Sequence, residues 1–217
     1  YLPLIVKGRA IGSFIIASRQ SNAYNPGQII FLEQLASQVA TPIENSRLYA
    51  EIEEKARIDE LTGLFNRRSL NEAIVGEINR HLRYGGVFSL VILDLDGFKA
   101  LNDNYGHLVG DRLLAEIGDT IKYTIRGADQ AFRYGGDEFA ILLPNTPIGA
   151  ARIVAERVRT QIASRVIDGR IKVTASLGLA SWPASGKGMA EVVAAADAAL
   201  YQAKRNGGNQ LLCSITA

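Results

Sequence analysis

Two pairs of acidic residues in this chain sit where apolar runs end, and that placement is where chemistry would be done. In "VILDLDGFKALNDNYGHLVGD", Asp94 and Asp96 follow Val91, Ile92 and Leu93. Two positions apart in a strand, they project from the same face. In "RYGGDEFAILLP", Asp137 and Glu138 come directly after two glycines that lie between apolar segments. That is the pattern of a β-hairpin whose tight turn is supplied by Gly135 and Gly136. A hairpin tip needs solubility, but it does not need adjacent acids. Clustered carboxylates raise one another's pKa unless a cation neutralises them. Two acids supplemented by backbone carbonyl oxygens suit a hard divalent ion. If the strand ending at Asp94 neighbours the hairpin, Asp137 comes beside Asp94, and a cation between them accounts for the crowding. Taken alone, the Asp94–Asp96 spacing is equally that of a strand surfacing into polar residues.

The residues that follow extend the same chemistry. "GFKALND" places Phe98 and Lys99 where a helix starts. Free backbone amides at a helix start favour phosphate, and Lys99 adds a point charge. Asn102 and Asp111 offer hydrogen-bonding edges of the sort that read a nucleobase, an acid being matched to the two adjacent donors of guanine. Singly, each also reads as a helix cap or a surface polar residue.

These residues need a scaffold, and the bulk properties bound it. The chain has 217 residues, 47% apolar and 21% charged, which excludes a disordered chain. The length allows one full domain with a substantial core plus something smaller. A formal charge of +2, spread along the sequence, gives no broad surface for a nucleic-acid polymer, so any phosphate chemistry is local. The single cysteine, Cys213, excludes an internal disulfide and suits a reducing compartment such as the cytoplasm. No apolar run approaches the length of a membrane span, and there is no signal peptide. The chain opens at Tyr1 inside an apolar run without an initiator methionine. It therefore reads as a fragment of a longer protein, for which a membrane tether upstream stays open.

Along the chain, "YLPLIVKGRAIGSFIIAS" reads as a hairpin around Lys7-Gly8-Arg9. "NPGQIIFLEQLASQVATPIEN" reads as a helix capped by Asn25, with Pro26 in its first turn and Ile29, Leu32, Ala36, Val39 and Ile43 at helical spacing. Pro42 is expected to bend or interrupt it. "ENSRLYAEIEEKARID" continues helically with a thin stripe, Leu48 and Ile52, as an inter-domain connector or a solvated helix without a partner. Two strands and a helix cannot bury both faces of a sheet, so residues 1–45 read as the tail of a domain whose front is missing. From Asp59 onward helices and strands alternate. "VFSLVILDLD" is a buried strand, "IKVTASLGLASW" a strand with partial alternation, "MAEVVAAADAALYQAKRNG" a helix ending at two glycines, and "NQLLCSI" a last short strand. The hairpin makes at least one strand pair antiparallel, which predicts an α+β domain with a mixed sheet and helices on its faces.

Five blocks, "DELTGLFNRR", "LDLDGFKALNDNYGHLVGD", "RGADQAFRYGGDEFAILLP", "VTASLG" and "ADAALYQAKRNGGN", resemble in order and spacing the signature blocks of the GGDEF family of diguanylate cyclases, over roughly residues 58–213. The segment "PLIV..RAIGSFIIAS…FLEQLASQVATPIENSRLY" resembles the C-terminal part of a GAF sensory domain. The division implied is 1–45 GAF-like fragment, 46–58 connector helix and 59–217 GGDEF domain. The resemblance implies a cyclase- or polymerase-like palm, a central mixed sheet wrapped by helices. It also implies condensation of two GTP into cyclic di-GMP and two pyrophosphates by a homodimer in a bacterial cytoplasm, with Mg2+ or alternatively Mn2+. Carried over residue by residue, Asp94, the Leu95 carbonyl and Asp137 would bind the metal, and Asn102 and Asp111 would read guanine. Phe98 and Lys99 would hold phosphates, with Lys99 also stabilising transition-state charge. Asp137 would accept the proton, with Glu138 as the nearby candidate. "RGAD" resembles the family's inhibitory RxxD site, so Arg126 and Asp129 would bind cyclic di-GMP as feedback inhibitor, with Arg157 as the arginine that joins from a second subunit. One departure stands out: "AKRNGGN" keeps the phosphate-gripping Lys204 but has Gly208 where the family has arginine. Losing such a contact weakens binding by about 1.5–3 kcal/mol, unless Arg205 substitutes from another direction. The alternative is therefore a weak or inactive domain that acts as a receptor for GTP or cyclic di-GMP. A cyclase of relaxed base specificity is disfavoured by Asp111.

Overall fold

The computed structural model of the chain describes residues 1–20, 23–55, 57–166, 169 and 171–214. It divides into two compact units, Tyr1–Ala56 and Arg57–Ala217. In the first, β1 (Leu2–Val6) and β2 (Arg9–Phe14) pair antiparallel through a turn in which Lys7 and Gly8 both take positive φ. Helix α1 (Pro26–Lys55) follows. Asn25 caps it reciprocally with Gln28: the Gln28 amide donates to Asn25 Oδ1 at 2.9 Å, and the Asn25 amide to Gln28 Oε1 at 3.0 Å. The unit's small core is Leu4, Ala36 and Ala40.

Of the bend or interruption expected at Pro42, the interruption does not occur: α1 runs through it. Pro42 and Gln38, whose carbonyl loses its donor, are both exposed residues, so water can satisfy the freed group. The stretch read as continuing helically into a connector is, up to Lys55, the last part of this same helix. Leu48 on its stripe is exposed, and the Ile52 side chain lies outside the described ones. No helix among the described residues is long and apolar enough to cross a membrane.

The second unit holds β3 (Phe65–Asn66), α2 (Arg67–Tyr84), β4 (Phe88–Leu95), α3 (Phe98–Tyr105), α4 (His107–Thr124), β5 (Gln130–Arg133), β6 (Glu138–Pro144), α5 (Ile148–Ser164), β7 (Ala175–Trp182), α6 (Met189–Arg205) and β8 (Leu211–Cys213). Six strands form one sheet in the order β3-β5-β6-β4-β7-β8. The outer pairs, β3–β5 and β7–β8, are parallel and the three inner ones antiparallel. The α+β class with a mixed sheet between helices is therefore as the sequence predicts.

Both sheet faces are covered. Val91, Leu93 and Leu95 of β4 point into a core with α4 and α5, through Leu113, Ile117, Val158 and Ile162. Phe88, Leu90 and Ile92 point into a second core with α2 and α6, through Leu70, Ile74, Val192 and Leu200. All eight β4 residues are buried, and each large apolar side chain contributes about 1.5–3 kcal/mol. The same two-sided cover explains a correction. The strand read from "IKVTASLGLASW" shows no alternation, because β7 is buried at all eight positions and spans only Ala175–Trp182. The last strand ends at Cys213, and Ile215 of the expected segment lies outside the described residues.

Candidate active site

β4 carries its apolar run to the sheet end and stops at Asp94 and Leu95. In register, Asp94 lies directly opposite Glu138 on β6 and Ser176 on β7. Asp137 is one residue further, in the turn, and its carbonyl accepts from the Leu95 amide at 3.3 Å. The hairpin acids therefore do reach the Asp94 end of β4, with Glu138 as the register partner and Asp137 beside it. The ammonium of Lys204, in the last turn of α6, bonds Asp94 Oδ2 at 2.5 Å. Burial raises the Asp94 carboxyl above its ordinary value. Lys204 pulls it back down, and the charges of Asp137 and Glu138 push it further up. One ammonium thus faces three carboxylates around a side chain that is 9% exposed.

The turn itself differs from the expected tight glycine turn. Four residues, 134–137, separate β5 from β6, and neither Gly135 nor Gly136 takes positive φ. The amides of Tyr134 and Gly135 both donate to the Glu138 carbonyl, at 2.8 and 3.1 Å. A Cβ at Gly135 would meet Glu138 Oε2, the end of a flexible side chain, and displace that carboxylate. Arg133 closes the turn. Its Nη2 donates to the Gly136 carbonyl at 2.9 Å, and its Nε reaches the Gly135 and Gly136 carbonyls at 3.2 and 3.3 Å. Its Nη1 bonds both oxygens of Asp59, at 3.2 and 3.1 Å. Asp59 Oδ1 also accepts from the Thr62 amide and hydroxyl at 2.9 and 2.7 Å. Neither Asp59 nor Arg133 was singled out from the sequence, although Asp59 three residues before Thr62 is the spacing of a side-chain-closed turn.

Asp96 takes a different part from Asp94. Its carboxylate accepts from Thr174 Oγ1 at 2.6 Å, Ser176 Oγ at 2.7 Å and the Asn209 amide at 2.9 Å. It ties the end of β4 to β7 and to the turn after α6 through neutral donors. That turn holds Gly208 at φ +75°, where a Cβ would stand 3.1–3.2 Å from the Asp96 carboxylate. The amides of residues 206–209 all donate within the chain, to Gln202, Lys204 and Ala203 carbonyls and to Asp96. Arg159 braces the turn through Asn209. Arg205 lies over the Tyr201 ring, back along α6, so Lys204 is the cation that α6 delivers to the carboxylates.

On the other sheet face, α3 begins at Phe98 after Gly97, with Lys99 exposed in its first turn. Asn102 is half-buried, and its Oδ1 is buried without a hydrogen-bond partner. A Cβ on Gly110 of α4 would collide with that oxygen and would press on the Phe98 ring at 3.2 Å. The bare α4 backbone thus lets α3 pack with Asn102 facing it, and Asp111 is the next, exposed, residue.

Arg126 and Asp129 form a third group. Arg126 Nε bonds Asp129 Oδ1 at 2.9 Å, and its Nη2 donates to the Pro144 carbonyl at 3.0 Å and Thr146 Oγ1 at 2.8 Å. The Asp129 side chain is 1% exposed, that of Arg126 58%. Arg157 of α5 donates to the Thr124 carbonyl at 2.8 Å, two residues before Arg126. A cleft of ≈ 340 Å³ opens beside the pair, lined among others by Leu64, Lys122, Arg126, Gly127 and Asp129.

The domain is an α+β fold whose mixed central sheet, covered by helices, gathers acids at one end of its inner strands beside a lysine. The description of the particular family follows from sequence: residues 56–210 match the model "Diguanylate cyclase, GGDEF domain", and the chain belongs to the GGDEF family. It is 40% identical to diguanylate cyclase DgcS of Shewanella oneidensis over 185 residues, covering 85% of this chain and 62% of that protein. It is 35% identical to diguanylate cyclase A of Treponema denticola over 222 residues, covering 99% of this chain and 59% of that protein. The chain thus spans about three-fifths of the length of these curated relatives. Among solved structures it resembles the Pseudomonas aeruginosa diguanylate cyclase SiaD in complex with its activator SiaC, with TM-score 0.69, 38% identity, and 86% of this chain and 73% of that one covered. It is also similar to the GGDEF domain of DgcB from Caulobacter crescentus in complex with c-di-GMP, with TM-score 0.69, 30% identity and coverage of 74% and 94%.

Among the described residues no three His, Cys, Asp or Glu side chains are arranged as a ready-made metal cage. The donor set still fits Mg2+, which is ordinarily held by one or two carboxylates together with substrate phosphates rather than by an all-protein cage.

Proposed function

We propose that the domain is a diguanylate cyclase condensing two GTP into cyclic di-GMP, each of two facing copies holding one GTP. The observation that carries this reading is the gathering of Asp94, Asp137, Glu138 and Lys204 at one sheet end in a chain of the GGDEF family. In each half-reaction a ribose 3′-oxygen bonds the α-phosphorus of the other GTP, the bond to pyrophosphate breaks, and the hydroxyl proton leaves to a base. Asp137 is the acceptor in this reading, with Glu138 beside it. Lys99 and Lys204 meet the phosphate charge. Asp94, the Leu95 carbonyl and Asp137 would hold Mg2+, or Mn2+ in its place, which supplies neutralisation of the α-phosphate and leaving group and a lowered pKa at the attacking hydroxyl. The partnerless Asn102 Oδ1 supports guanine reading with Asp111, because a base N–H donor would relieve a group that costs about 1–3 kcal/mol unpaired.

The cleft beside Arg126 and Asp129 supports product feedback there, with Arg157 joining it. Asp129 is covered by Arg126, so Arg126 must turn outward before both can hold a ligand. The N-terminal unit is read as part of a GAF-like sensory domain. A second reading, a receptor with feeble turnover, is favoured by the turn at Gly208. It lacks the family's arginine, and its amides are already engaged.

Incubation with GTP and Mg2+ at high protein concentration, followed by nucleotide chromatography, tests the proposal. The expected result is cyclic di-GMP from the wild type and none from Asp137→Ala. Tight cyclic di-GMP binding without turnover would replace the enzyme with the receptor. Arg126→Ala is expected to relieve product inhibition.

A further inference from the structure

Lys204 and a divalent cation want the same atom. The Lys204 ammonium bonds Asp94 Oδ2 at 2.5 Å, and Asp94 heads the acidic group in which metal would sit on the reading proposed above, on which this inference rests. The contact is built into the fold at both ends. Asp94 is the penultimate residue of a wholly buried strand. Lys204 is set by the end of α6, where neighbouring Ala203 is buried and the Gly207 and Gly208 amides bond the Lys204 and Ala203 carbonyls. Only the four-carbon stem of the lysine is free to swing, and a lysine ammonium is a compact point charge able to exchange one set of oxygens for another.

We propose that Lys204 is a tethered cation that competes with metal for Asp94, so that nucleotide and metal load together. Metal alone must displace the ammonium from its oxygen and leave that charge without a partner. A triphosphate offers Lys204 better-charged oxygens, draws it off Asp94, and gives the carboxylate to the metal. Nucleotide therefore strengthens metal binding beyond what its own phosphates contribute, and by linkage metal strengthens nucleotide binding through the same residue. A lysine serving substrate only would leave the affinity for metal alone unchanged.

The test is Mn2+ binding to the full chain without nucleotide, followed by the paramagnetic signal of free Mn2+. It compares wild type, Lys204→Met, Lys204→Gln and Lys204→Arg, each checked for folding by near-UV circular dichroism. Loss of a charge-assisted competitor predicts Mn2+ affinity higher by about tenfold or more in the Met and Gln variants. Lys204→Arg, which keeps the charge, stays near wild type. With a non-hydrolysable GTP analogue present, the gap between wild type and Lys204→Met closes. Equal Mn2+ affinity in wild type and the neutral variants overturns the competition while leaving the cyclase reading standing. Undiminished Mn2+ binding in Asp94→Asn removes the metal from Asp94 and overturns both.

Discussion

The Asp59–Arg133 clamp makes the hairpin at Asp137 depend on a turn 74 residues earlier, and a double-mutant cycle measures that dependence. Both side chains are about four-fifths buried, at 21% and 19% exposed, and Arg133 Nη1 meets both Asp59 oxygens. Hydrogen bonds to charged groups at such sites contribute about 1.5–3 kcal/mol. Asp59→Ala and Arg133→Ala are therefore each expected to destabilise the domain by about 2–3 kcal/mol. The double variant should lose about 3–4 kcal/mol, leaving a coupling of about 1–2 kcal/mol. In a domain of this size each single change lowers Tm by about 4–12 °C. Urea unfolding of the four proteins gives the cycle, and its pH dependence gives an independent check. Burial pushes the Asp59 carboxyl up, but the Thr62 hydroxyl and amide and the Arg133 guanidinium outweigh it and hold it below the usual value of 3.8. A depressed folded-state pKa means that stability is present above 3.8 and is lost as pH falls through the folded value. The gap between wild type and Asp59→Asn should thus be full near pH 6 and narrow below pH 3.8. Arg133 alone also holds the Gly135 and Gly136 carbonyls, so Arg133→Ala should reduce kcat further than Asp59→Ala when both are compared well below their Tm. A coupling within about 0.3 kcal/mol of zero, or a gap indifferent to pH, refutes the clamp.

Three further outcomes follow from close approaches in the structure. Gly135→Ala meets only the flexible end of Glu138, so cyclic di-GMP synthesis should fall at least tenfold with stability changed by less than about 1 kcal/mol. A comparable loss of both would mean that the turn, not the glutamate, gives way. Gly110→Ala drives a methyl into the Asn102 amide and the Phe98 ring and should destabilise by about 1–3 kcal/mol. GTP affinity, read by calorimetry on the folded fraction, should also drop. Gly208→Arg restores the family's cation at a backbone of φ +75°, which costs about 1–2 kcal/mol of stability, and should lower the KM for GTP by about tenfold. An unchanged KM would show the guanidinium held on Asp96.

What the sequence revealed and withheld follows from the range of the physics involved. Buried strands such as Phe88–Leu95 announce themselves locally, because an unbroken apolar run has few other uses. The α6 stop at paired glycines and the Asn25 cap are local too. The strand order is not, since nothing in any one segment states that β4 lies between β6 and β7. The consequence is visible at Asp94, where the expected Asp137 does lie beside it while the residue directly opposite in register is Glu138. The Arg133–Asp59 pairing was silent for the same reason, although the Asp59–Thr62 spacing was a local signal. Pro42 shows the converse: its local penalty is real, but it does not interrupt α1, because an exposed helix lets water take up the freed carbonyl.

The clearest case is the pair Asp94 and Asp96, identical residues two positions apart, one in the last two residues of β4 and the other just past its end, which no spacing argument separates. Their surroundings do. Asp96 is met by two hydroxyls and an amide, neutral donors that fix its carboxylate and make it a fastening between β4, β7 and the turn at Asn209. Asp94 is met by one ammonium and two further acids, so burial and like charge oppose its ionisation and only cations favour it. Neutral donors saturate the geometry of a carboxylate and leave it inert, whereas a deficit of positive charge leaves it with affinity to spend on a ligand. The difference between Asp94 and Asp96 is therefore set in part by the residues brought to Asp94 from β6 and α6, more than forty positions away in sequence. The same charge deficit that makes Asp94 costly to bury is what a magnesium-bound triphosphate would relieve.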